Sequence, residues 1–573
     1  THLLSFIFEL PFKIMSEDIQ KVEYLPKVHQ QSDQPQVIGR TFFIDTSNRN
    51  LTAIPPEILA LEDLEEVHLE NNRLEEISQD IQHLRHIRIL YLDRNNLREL
   101  CPELGALSNL EGLDLSCNPL NPSSLQVLSG LRALRELRLY HLDLRELPVV
   151  VCKHLHHLEL LGLSRNCLEA LPKEIVNQLK LREIYLQQNQ FKVFPQELCV
   201  LPNLEIIDLD ENKLRALPEE IGDLTRLQKL YVAHNQLPSL PRSLCRCRKM
   251  TVLEVSHNLL DSLPCAPGEL PRMTELGLSG NCLGKVPRLV CRWPALHLLY
   301  LRDAGLRGLR RSFGRLLQLR FLDLGQNQLD RFPPQICALK DLEALALDDN
   351  NIGQLPSELG LLSKLKILGL TGNQFLSFPE EVFSLASLEK LYIGQDQGSK
   401  LSRLPEQIGK LQNLKELYIE NNSLEYLPVS LGSMPKLEVL DCRHNLLKQL
   451  PDEICQAQGL RELLLEDNLL TCLPENLDSL ENLKVLTLMN NPMKAPPIEV
   501  CAQGNEAMWR YLRESRNQRI KATKIQAWWR GIMVRKGFGR FEELQKARKK
   551  GKTSPKDKKG KKDAKKKPGK GNK

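Results

Sequence analysis

Leucines recur along the chain in a fixed order of apolar and polar positions. Leu90 and Leu92 flank Tyr91, and a polar run then leads to Asn95 and Leu97. Such alternation is typical of a half-buried strand, so each copy predicts a short strand whose leucines point to one side. An asparagine follows these strands at intervals of 23 residues or close multiples, at the following positions: Asn72, Asn95, Asn118, Asn166, Asn189, Asn212, Asn235, Asn258, Asn281, Asn327, Asn350, Asn373, Asn422, Asn445, Asn468 and Asn491.

Four further copies of the repeat lack the asparagine. Leu142, Ala304 and Asp396 occupy its position in three of them, and Arg49 occupies it in a degenerate first copy. With the sixteen asparagines these copies make 20 repeats over residues 41–497. One repeat cannot bury its leucines alone, whereas stacked repeats share a continuous core. We therefore predict a solenoid in which the asparagine side chains satisfy backbone groups left open at the turns.

The second half of each repeat carries a Leu-Pro pair before a short apolar segment, as at Leu217 and Pro218. Proline ends the extended segment because it cannot donate to a strand ladder. Together with the strand pattern, this resembles the leucine-rich repeat family, and within it the intracellular Ras-group repeats. The resemblance implies an α/β solenoid with a parallel sheet on its concave face and an asparagine ladder running through it. It also implies a platform for another protein.

A second pattern lies in a basic segment near the end of the chain. Ile525, Trp528, Trp529 and Ile532 recur at i, i+3, i+4 and i+7, so they predict one apolar face of a helix. The segment also resembles an IQ motif, and the residues in its defining positions are Ile525, Gln526, Arg530, Gly531, Arg535 and Phe538.

The IQ resemblance implies a site for calmodulin or a related EF-hand light chain. Calmodulin lays such a face into a hydrophobic groove, so Ile525, Trp529, Ile532 and Phe538 are predicted contacts. The arginines Arg530 and Arg535 would meet its acidic rim, and Gly531 would allow close approach to the helix backbone. By family analogy, Gln526 would hydrogen-bond to calmodulin's backbone. The alternative is a helix packed back on the solenoid, with both tryptophans buried.

The two patterns together resemble the leucine-rich repeat and IQ domain-containing proteins over about residues 41–540. The expected layout is an N-terminal flank (1–40), the solenoid (41–497), a C-terminal cap and linker helix (498–520), the IQ helix (521–545) and a disordered Lys-rich tail (546–573). We expect residues 1–14 to be an extension upstream of a native start at Met15. The sequence contains no run of eighteen apolar residues, so it predicts no transmembrane helix.

Charge is divided unevenly along the chain. Residues 504–573 hold 25 Lys+Arg against 6 Asp+Glu, whereas residues 1–503 hold 53 against 66. A lysine-rich tail without interleaved aromatic residues predicts nonspecific attraction to an anionic partner. Acidic tubulin tails, RNA, anionic lipid and the acidic solenoid itself all remain open as that partner.

Cysteine spacing indicates the compartment. Cys199, Cys245, Cys291 and Cys337 are each 46 residues apart, which is two repeats. Two repeats separate equivalent sites by at least about 9.5 Å, whereas a disulfide needs Cα atoms within about 6.8 Å. We therefore expect buried free thiols, and with them a cytoplasmic location.

The strand residues that alternate with leucine offer a candidate surface on the concave face. Tyrosines in one outward column, with acidic residues nearby, would suit a partner with basic and apolar anchors. The alternative is a solvated sheet face without a ligand. The candidate residues are Tyr185, Asp208, Asp210, Tyr231, Tyr300 and Asp348.

No catalytic, cofactor or metal-site motif is apparent, so we expect no enzyme, cofactor or metal ion. The sequence therefore predicts a non-enzymatic cytoplasmic scaffold that binds calmodulin or a related light chain. One alternative is a Ras-pathway adaptor that holds a small GTPase or a phosphatase on its concave face. Another is a ciliary or microtubule-associated structural protein anchored by its tail.

Overall fold

One sheet of 21 strands runs through the repeats. The structure, a computed structural model, describes residues 36–38, 41–264 and 270–536, with side chains from Phe42 onward. The first strand pairs antiparallel with the second, and the other twenty are parallel. The strands, β1 to β21 in order, are Gln36–Ile38, Thr41–Asp45, Glu66–His68, Ile89–Tyr91, Gly112–Asp114, Glu136–Arg138, Leu160–Gly162, Glu183–Tyr185, Ile206–Asp208, Lys229–Tyr231, Val252–Glu254, Glu275–Gly277, Leu298–Tyr300, Phe321–Asp323, Ala344–Ala346, Ile367–Gly369, Lys390–Tyr392, Glu416–Tyr418, Val439–Asp441, Glu462–Leu464 and Val485–Thr487.

Within the described residues, short helices connect most strands to the next one. Most are 3₁₀ turns that begin after a proline such as Pro218, whose fixed φ suits a helix start. Two are α-helical, α1 (Pro56–Leu59) and α2 (Val149–His154). The 3₁₀ helices are Gln79–His83, Pro102–Ala106, Pro122–Gly130, Lys173–Asn177, Gln196–Val200, Glu219–Asp223, Arg242–Arg246, Val290–Arg292, Arg311–Arg315, Pro334–Ala338, Ser357–Leu361, Glu380–Ser384, Glu406–Lys410, Val429–Ser433, Asp452–Gln456 and Leu477–Ser479.

A leucine core lies between the sheet and these helices. Leu90, Leu92 and Leu97 are fully buried, and their equivalents in the other repeats join them in one continuous cluster. The strands stay in register from one repeat to the next, as where Leu230 pairs with Leu253. The predicted solenoid of twenty stacked repeats is confirmed.

The asparagine ladder is also present. Asn95 Nδ2 donates to the carbonyl of Leu92 in its own repeat and to that of Leu69 in the preceding one, both at 3.0 Å. Its Oδ1 accepts from the Leu74 backbone N–H at 3.0 Å. The same pattern recurs at the other described ladder positions, so each asparagine ties two neighbouring turns together.

Among the described residues, the cysteines follow the prediction with one exception. Thirteen of the described cysteines are free, and Cys199, Cys291 and Cys337 are buried. Cys245 is disulfide-bonded, so the expectation that it is a free thiol is wrong. The spacing argument excludes bridges between equivalent positions two repeats apart, but it does not exclude a partner outside that position.

The last repeat is covered by two helices, α3 (Ile498–Cys501) and α4 (Asn505–Arg535). The sequence suggested a capping helix and a separate IQ helix on either side of residue 520. Instead, α4 runs through that point as one helix of 31 residues. It contains no proline, and its one interior glycine, Gly531, does not interrupt it.

Candidate functional site

The first part of α4 packs against the end of the solenoid. Met508 and Leu512 are buried and join the leucine core, and Trp509 and Tyr511 pack partly against it. These residues cover apolar surface that the last repeat would otherwise expose, which is the role of a terminal cap.

Arginines on the next turns fix the direction of α4. Arg516 donates from Nη1 and Nη2 to the two carboxylate oxygens of Asp478, at 2.8 and 2.9 Å, and from Nη1 to the Glu475 carbonyl. Arg519 pairs with the Glu475 carboxylate. Asp478 is largely buried beneath these arginines. A bidentate pair on a buried carboxylate restricts orientation more than a single exposed ion pair does.

Beyond Arg519 the helix leaves the solenoid. Ile525, Trp528 and Trp529 are 62%, 60% and 57% exposed, although all three are large apolar side chains. The alternative in which the helix packs back on the solenoid and buries both tryptophans is therefore wrong for this structure. Scattered exposed apolar residues are ordinary, but adjacent ones on one helical face indicate an interaction surface.

The other predicted motif residues surround this apolar face. Gln526, Arg530 and Arg535 are exposed, and Gly531 and Ile532 are half-buried. The Arg535 guanidinium donates from Nε to the Gly531 carbonyl at 3.1 Å, one turn back along the same helix. The arginines engage no acidic residue of the solenoid among the described ion pairs, so they are available to a partner. Phe538 lies outside the described residues.

The tyrosines of the sheet face are buried, contrary to the expectation of an exposed column. Tyr185, Tyr231 and Tyr300 are only 5–6% exposed. Tyr185 and Tyr231 pack with Leu160, Ile206 and other strand residues in a small second cluster on the sheet face. Neighbouring strands lie about 4.8 Å apart, so large side chains on successive strands cover one another. These tyrosines stabilise the sheet face and offer a partner little surface.

The carboxylates of the acidic candidates on the sheet face accept hydrogen bonds from backbone N–H groups. Asp208 Oδ1 accepts from the Asp210 N–H at 3.0 Å, Asp210 Oδ1 accepts from the Ala233 N–H, and Asp348 Oδ1 accepts from the Thr371 N–H at 2.9 Å. Those N–H groups follow strands of only three residues and need acceptors. Asp208 and Asp348 are buried, so the prediction that they form an exposed acidic surface is wrong.

Burial also changes the charge of these acids. It raises the pKa of Asp208 and of Asp348 to about 7, and it holds the pKa of Asp210 well above its usual range. The nearby Arg302 guanidinium only partly offsets the effect on the pKa of Asp348. Burial disfavours the ionised form because the interior solvates charge poorly. The sheet face is therefore less negative at neutral pH than its composition implies.

A charged row that sequence reasoning missed lies just before the strands. Arg88 pairs with Glu111 at 3.0 Å, and Arg182 pairs with Glu205 at 3.0 Å. In two runs of repeats, the position just before the strand carries basic and acidic residues in alternation. This alternation is visible in the sequence once residues are compared at the 23-residue period. The two runs are Glu65, Arg88, Glu111, Arg135, Glu159, Arg182 and Glu205, and then Arg320, Glu343, Lys366, Glu389, Lys415, Glu438 and Arg461.

Four repeats between these runs carry uncharged or weakly basic residues at this position. They are Gln228, Thr251, Thr274 and His297. The middle of the solenoid therefore differs from both ends along this edge of the sheet.

Within 36–38, 41–264 and 270–536, no group of three or more His, Cys, Asp and Glu side chains could hold a metal ion. No helix in those ranges is long and apolar enough to span a membrane.

Family models match both patterns. A leucine rich repeat model matches residues 46–97, 85–144 and 179–237, a leucine-rich repeat region model matches 282–422, and a model of two leucine-rich repeats matches 412–453. Together these matches cover more than half of the chain. The chain belongs to the leucine-rich repeat proteins. An IQ calmodulin-binding motif model matches residues 519–539 of this leucine-rich repeat protein. None of these models describes an enzyme.

Two curated relatives combine the same two features. The chain is 72% identical over 187 residues to leucine-rich repeat and IQ domain-containing protein 4 of Homo sapiens, and 68% identical over 190 residues to the protein of that name in Mus musculus. Each alignment spans 33% of this chain and about a third of the relative's length. Among solved structures, a leucine-rich repeat protein of Leptospira interrogans is 29% identical, with a TM-score of 0.51, and covers 75% of this chain and 97% of its own.

Proposed function

We propose that this leucine-rich repeat protein is a non-enzymatic scaffold that binds calmodulin, or a related EF-hand light chain, through the IQ segment of α4. The observation that carries the proposal is the exposure of Ile525, Trp528 and Trp529 on one face of a helix whose other end is fixed to the solenoid. Aromatic anchors in a basic helix are what a calmodulin groove accepts.

The fixed base of α4 favours binding. Arg516 and Asp478 hold the helix in place before a partner arrives, so the partner need not order the helix itself. Arg530 and Arg535 lie beside the apolar face and would meet acidic groups of the light chain. A partner bound there would be carried at the C-terminal end of the solenoid.

We further propose that the repeats hold a second protein partner. The sheet-face tyrosines are buried, so such a partner would meet the charged residues that precede the strands, such as Arg135 and Glu159, rather than Tyr185 or Tyr231. Charged rows of this kind favour correct orientation over raw affinity. The cytoplasm is the compartment that we propose, supported by thirteen free cysteines.

Tryptophan fluorescence tests the light-chain proposal. Trp293 is buried and Trp509 is half-buried, whereas Trp528 and Trp529 are exposed. Titration of the full chain with calmodulin, in calcium and in chelator, should shift the tryptophan emission to shorter wavelength as these two rings leave water. A Trp528→Tyr, Trp529→Tyr chain is the matched control and should show little shift. No shift in either condition would refute the proposal.

A further inference from the structure

The middle of the solenoid is basic, whereas the rest of it is acidic. Residues 241–316 hold thirteen Lys+Arg and five Asp+Glu. The other residues before 504 hold 40 Lys+Arg and 61 Asp+Glu. A local reversal of charge within a repeat array belongs to the surface, because the buried leucine pattern is the same on both sides of it.

The basic side chains stand in two rows on or just before the short helices, across the core from the sheet. One row holds Arg242, Arg288 and Arg311, which are exposed and occupy equivalent positions of their repeats, although Arg288 lies in the turn before its helix. The other holds Arg246, Arg292 and Arg315, which are also exposed. In the preceding helix and in several later ones, the first turn carries acids instead, such as Glu219 and Glu358.

The rows are largely unneutralised. Among the described residues, the one ion pair within them joins Arg246 to Asp223 at 4.0 Å, and Arg246 remains 71% exposed. By contrast, the arginines before the strands, such as Arg88, are paired at 3.0 Å. A depression of about 590 Å³ is lined by Arg242, Arg246 and Arg248. The surface therefore presents arginines that the chain itself does not use.

We propose that these two rows, the arginine surface, bind an acidic segment of a partner protein, rich in aspartate and glutamate and laid across the repeats. Arginine presents a planar fork that takes a carboxylate by two hydrogen bonds, and it holds anions more specifically than lysine does. The rows extend over three repeat steps, roughly 14 Å, which is the length of four or five residues of an extended peptide. The 23-residue period gives Cys265 and Glu269 at the corresponding sequence positions of the one intervening repeat, outside the described residues.

Other anions fit this surface less well. Within 241–264 and 270–316 no Phe, Tyr or Trp side chain is exposed, so the arginine rows offer no such platform on which nucleic-acid bases could stack. No exposed apolar side chain stands within the rows to enter a lipid interface. Glu219 and Asp223 border the arginine surface, and such carboxylates would repel a continuous run of phosphates.

The test uses the full chain and a fluorescein-labelled twelve-residue peptide of alternating Glu and Gly that carries a photo-crosslinker. The variant Arg292→Gln, Arg315→Gln should raise the Kd at least fivefold. The matched control Lys410→Gln, Lys436→Gln removes two exposed cations from the equivalent face of later repeats and should leave the Kd within twofold. Crosslinks in the wild-type chain should fall within residues 241–316.

Several results would overturn the proposal. They are no binding of the peptide, an equal Kd for the arginine variant, or crosslinks confined to residues 546–573, whose lysines are unchanged in every variant. A single-stranded oligonucleotide or a phosphatidylserine vesicle that binds ten times more tightly, and loses binding in the arginine variant, would also overturn it and assign the surface to that ligand. Equal thermal midpoints of the variants and the wild type confirm that exposed substitutions leave the fold intact.

Discussion

Asn258 illustrates how single residues hold the solenoid together. Its Oδ1 accepts from the Leu237 N–H at 2.9 Å, and its Nδ2 donates to the carbonyls of Val232 and Val255 at 2.9 and 3.0 Å. All of these groups are buried, so none has water as a substitute partner. The ladder was predictable because it depends on the chemistry of one side chain and on a period visible in the sequence.

Asn258→Leu should lower the free energy of unfolding by about 1–3 kcal/mol or more, because it leaves buried backbone groups unpaired. The measurement is the urea midpoint of the full chain. Asn351→Leu is the control, since Asn351 is exposed beside a ladder position, and it should change stability little. Equal midpoints for the two variants would contradict the ladder's role.

The burial of the sheet-face residues was not predictable from a repeat taken alone. Asp348 lies over Gly369 of the next strand, where a Cβ atom would collide with its carboxylate. Glu254 lies over Gly277 in the same way. Which side chains become buried therefore depends on the residue about one repeat further on, and not on the strand that carries them.

These buried acids predict a fall in stability as pH rises. Burial raises the pKa of Asp208, Asp348 and Glu254 to about 7. From about pH 4 to 7 the unfolded chain releases protons that the folded chain retains, so the unfolded state binds fewer protons and stability decreases. Asp348→Asn should make this decrease shallower in urea titrations at pH 5 and pH 8. Asp330→Asn, at an exposed position, should not.

His68 extends the same trend to higher pH. Burial of the imidazole lowers the pKa of His68, but the carboxylates of Glu66 and Glu70 outweigh the effect of burial and raise that pKa to about 9. Its stabilising contribution is complete below about pH 6.5 and is lost by about pH 9. A stability that rises between pH 5 and pH 8 would contradict this account of the buried groups.

At the scale of elements, α4 joins two roles that the sequence suggested separately. Its apolar residues Met508 and Leu512 cap the repeats, and Ile525 begins the IQ face about four turns later. Each segment was recognisable from helical periodicity. Their continuity was not, because it rests on Arg516 and Asp478, which are 38 residues apart and meet only in the fold.

Arg516→Ala should loosen the base of α4. It removes the bidentate partner of the largely buried Asp478, and leaving that carboxylate without it is costly. Backbone amides of residues 505–519 should then exchange hydrogen for deuterium at least ten times faster than in the wild type. Mass spectrometry measures this exchange. Arg510→Ala, an exposed position on the same helix, serves as the control. Unchanged exchange in both variants would mean that apolar capping alone fixes the helix.

At the scale of the whole molecule, different faces of the protein differ in charge, and its cysteines differ in reactivity. The sheet face neutralises its own charges, the arginine surface leaves its charges open, and α4 exposes an apolar face. The thirteen free cysteines are distributed through the repeats and α3, and burial raises the pKa of Cys152 to about 12, which keeps its thiol protonated and unreactive.

Alkylation of the unfolded, unreduced chain should therefore modify at least thirteen cysteines and leave Cys245 protected. In the folded chain the exposed Cys117, Cys167, Cys282 and Cys472 should react first. Mass spectrometry of tryptic peptides measures both. Disulfides among the thirteen would contradict the cytoplasmic proposal.

The central claim is that the exposed face of α4 binds a calmodulin-like light chain. The direct measurement is calorimetric titration of the full chain with calmodulin, in calcium and in chelator, for two variants that introduce the same charge. Ile525→Glu lies on the apolar face, whereas Ile520→Glu lies on an exposed position turned away from it. Burying an unpaired carboxylate costs several kcal/mol, so Ile525→Glu should weaken binding roughly a hundredfold, and Ile520→Glu should bind like the wild type. Equal binding by both variants, or no binding by the wild type in either condition, would contradict the claim.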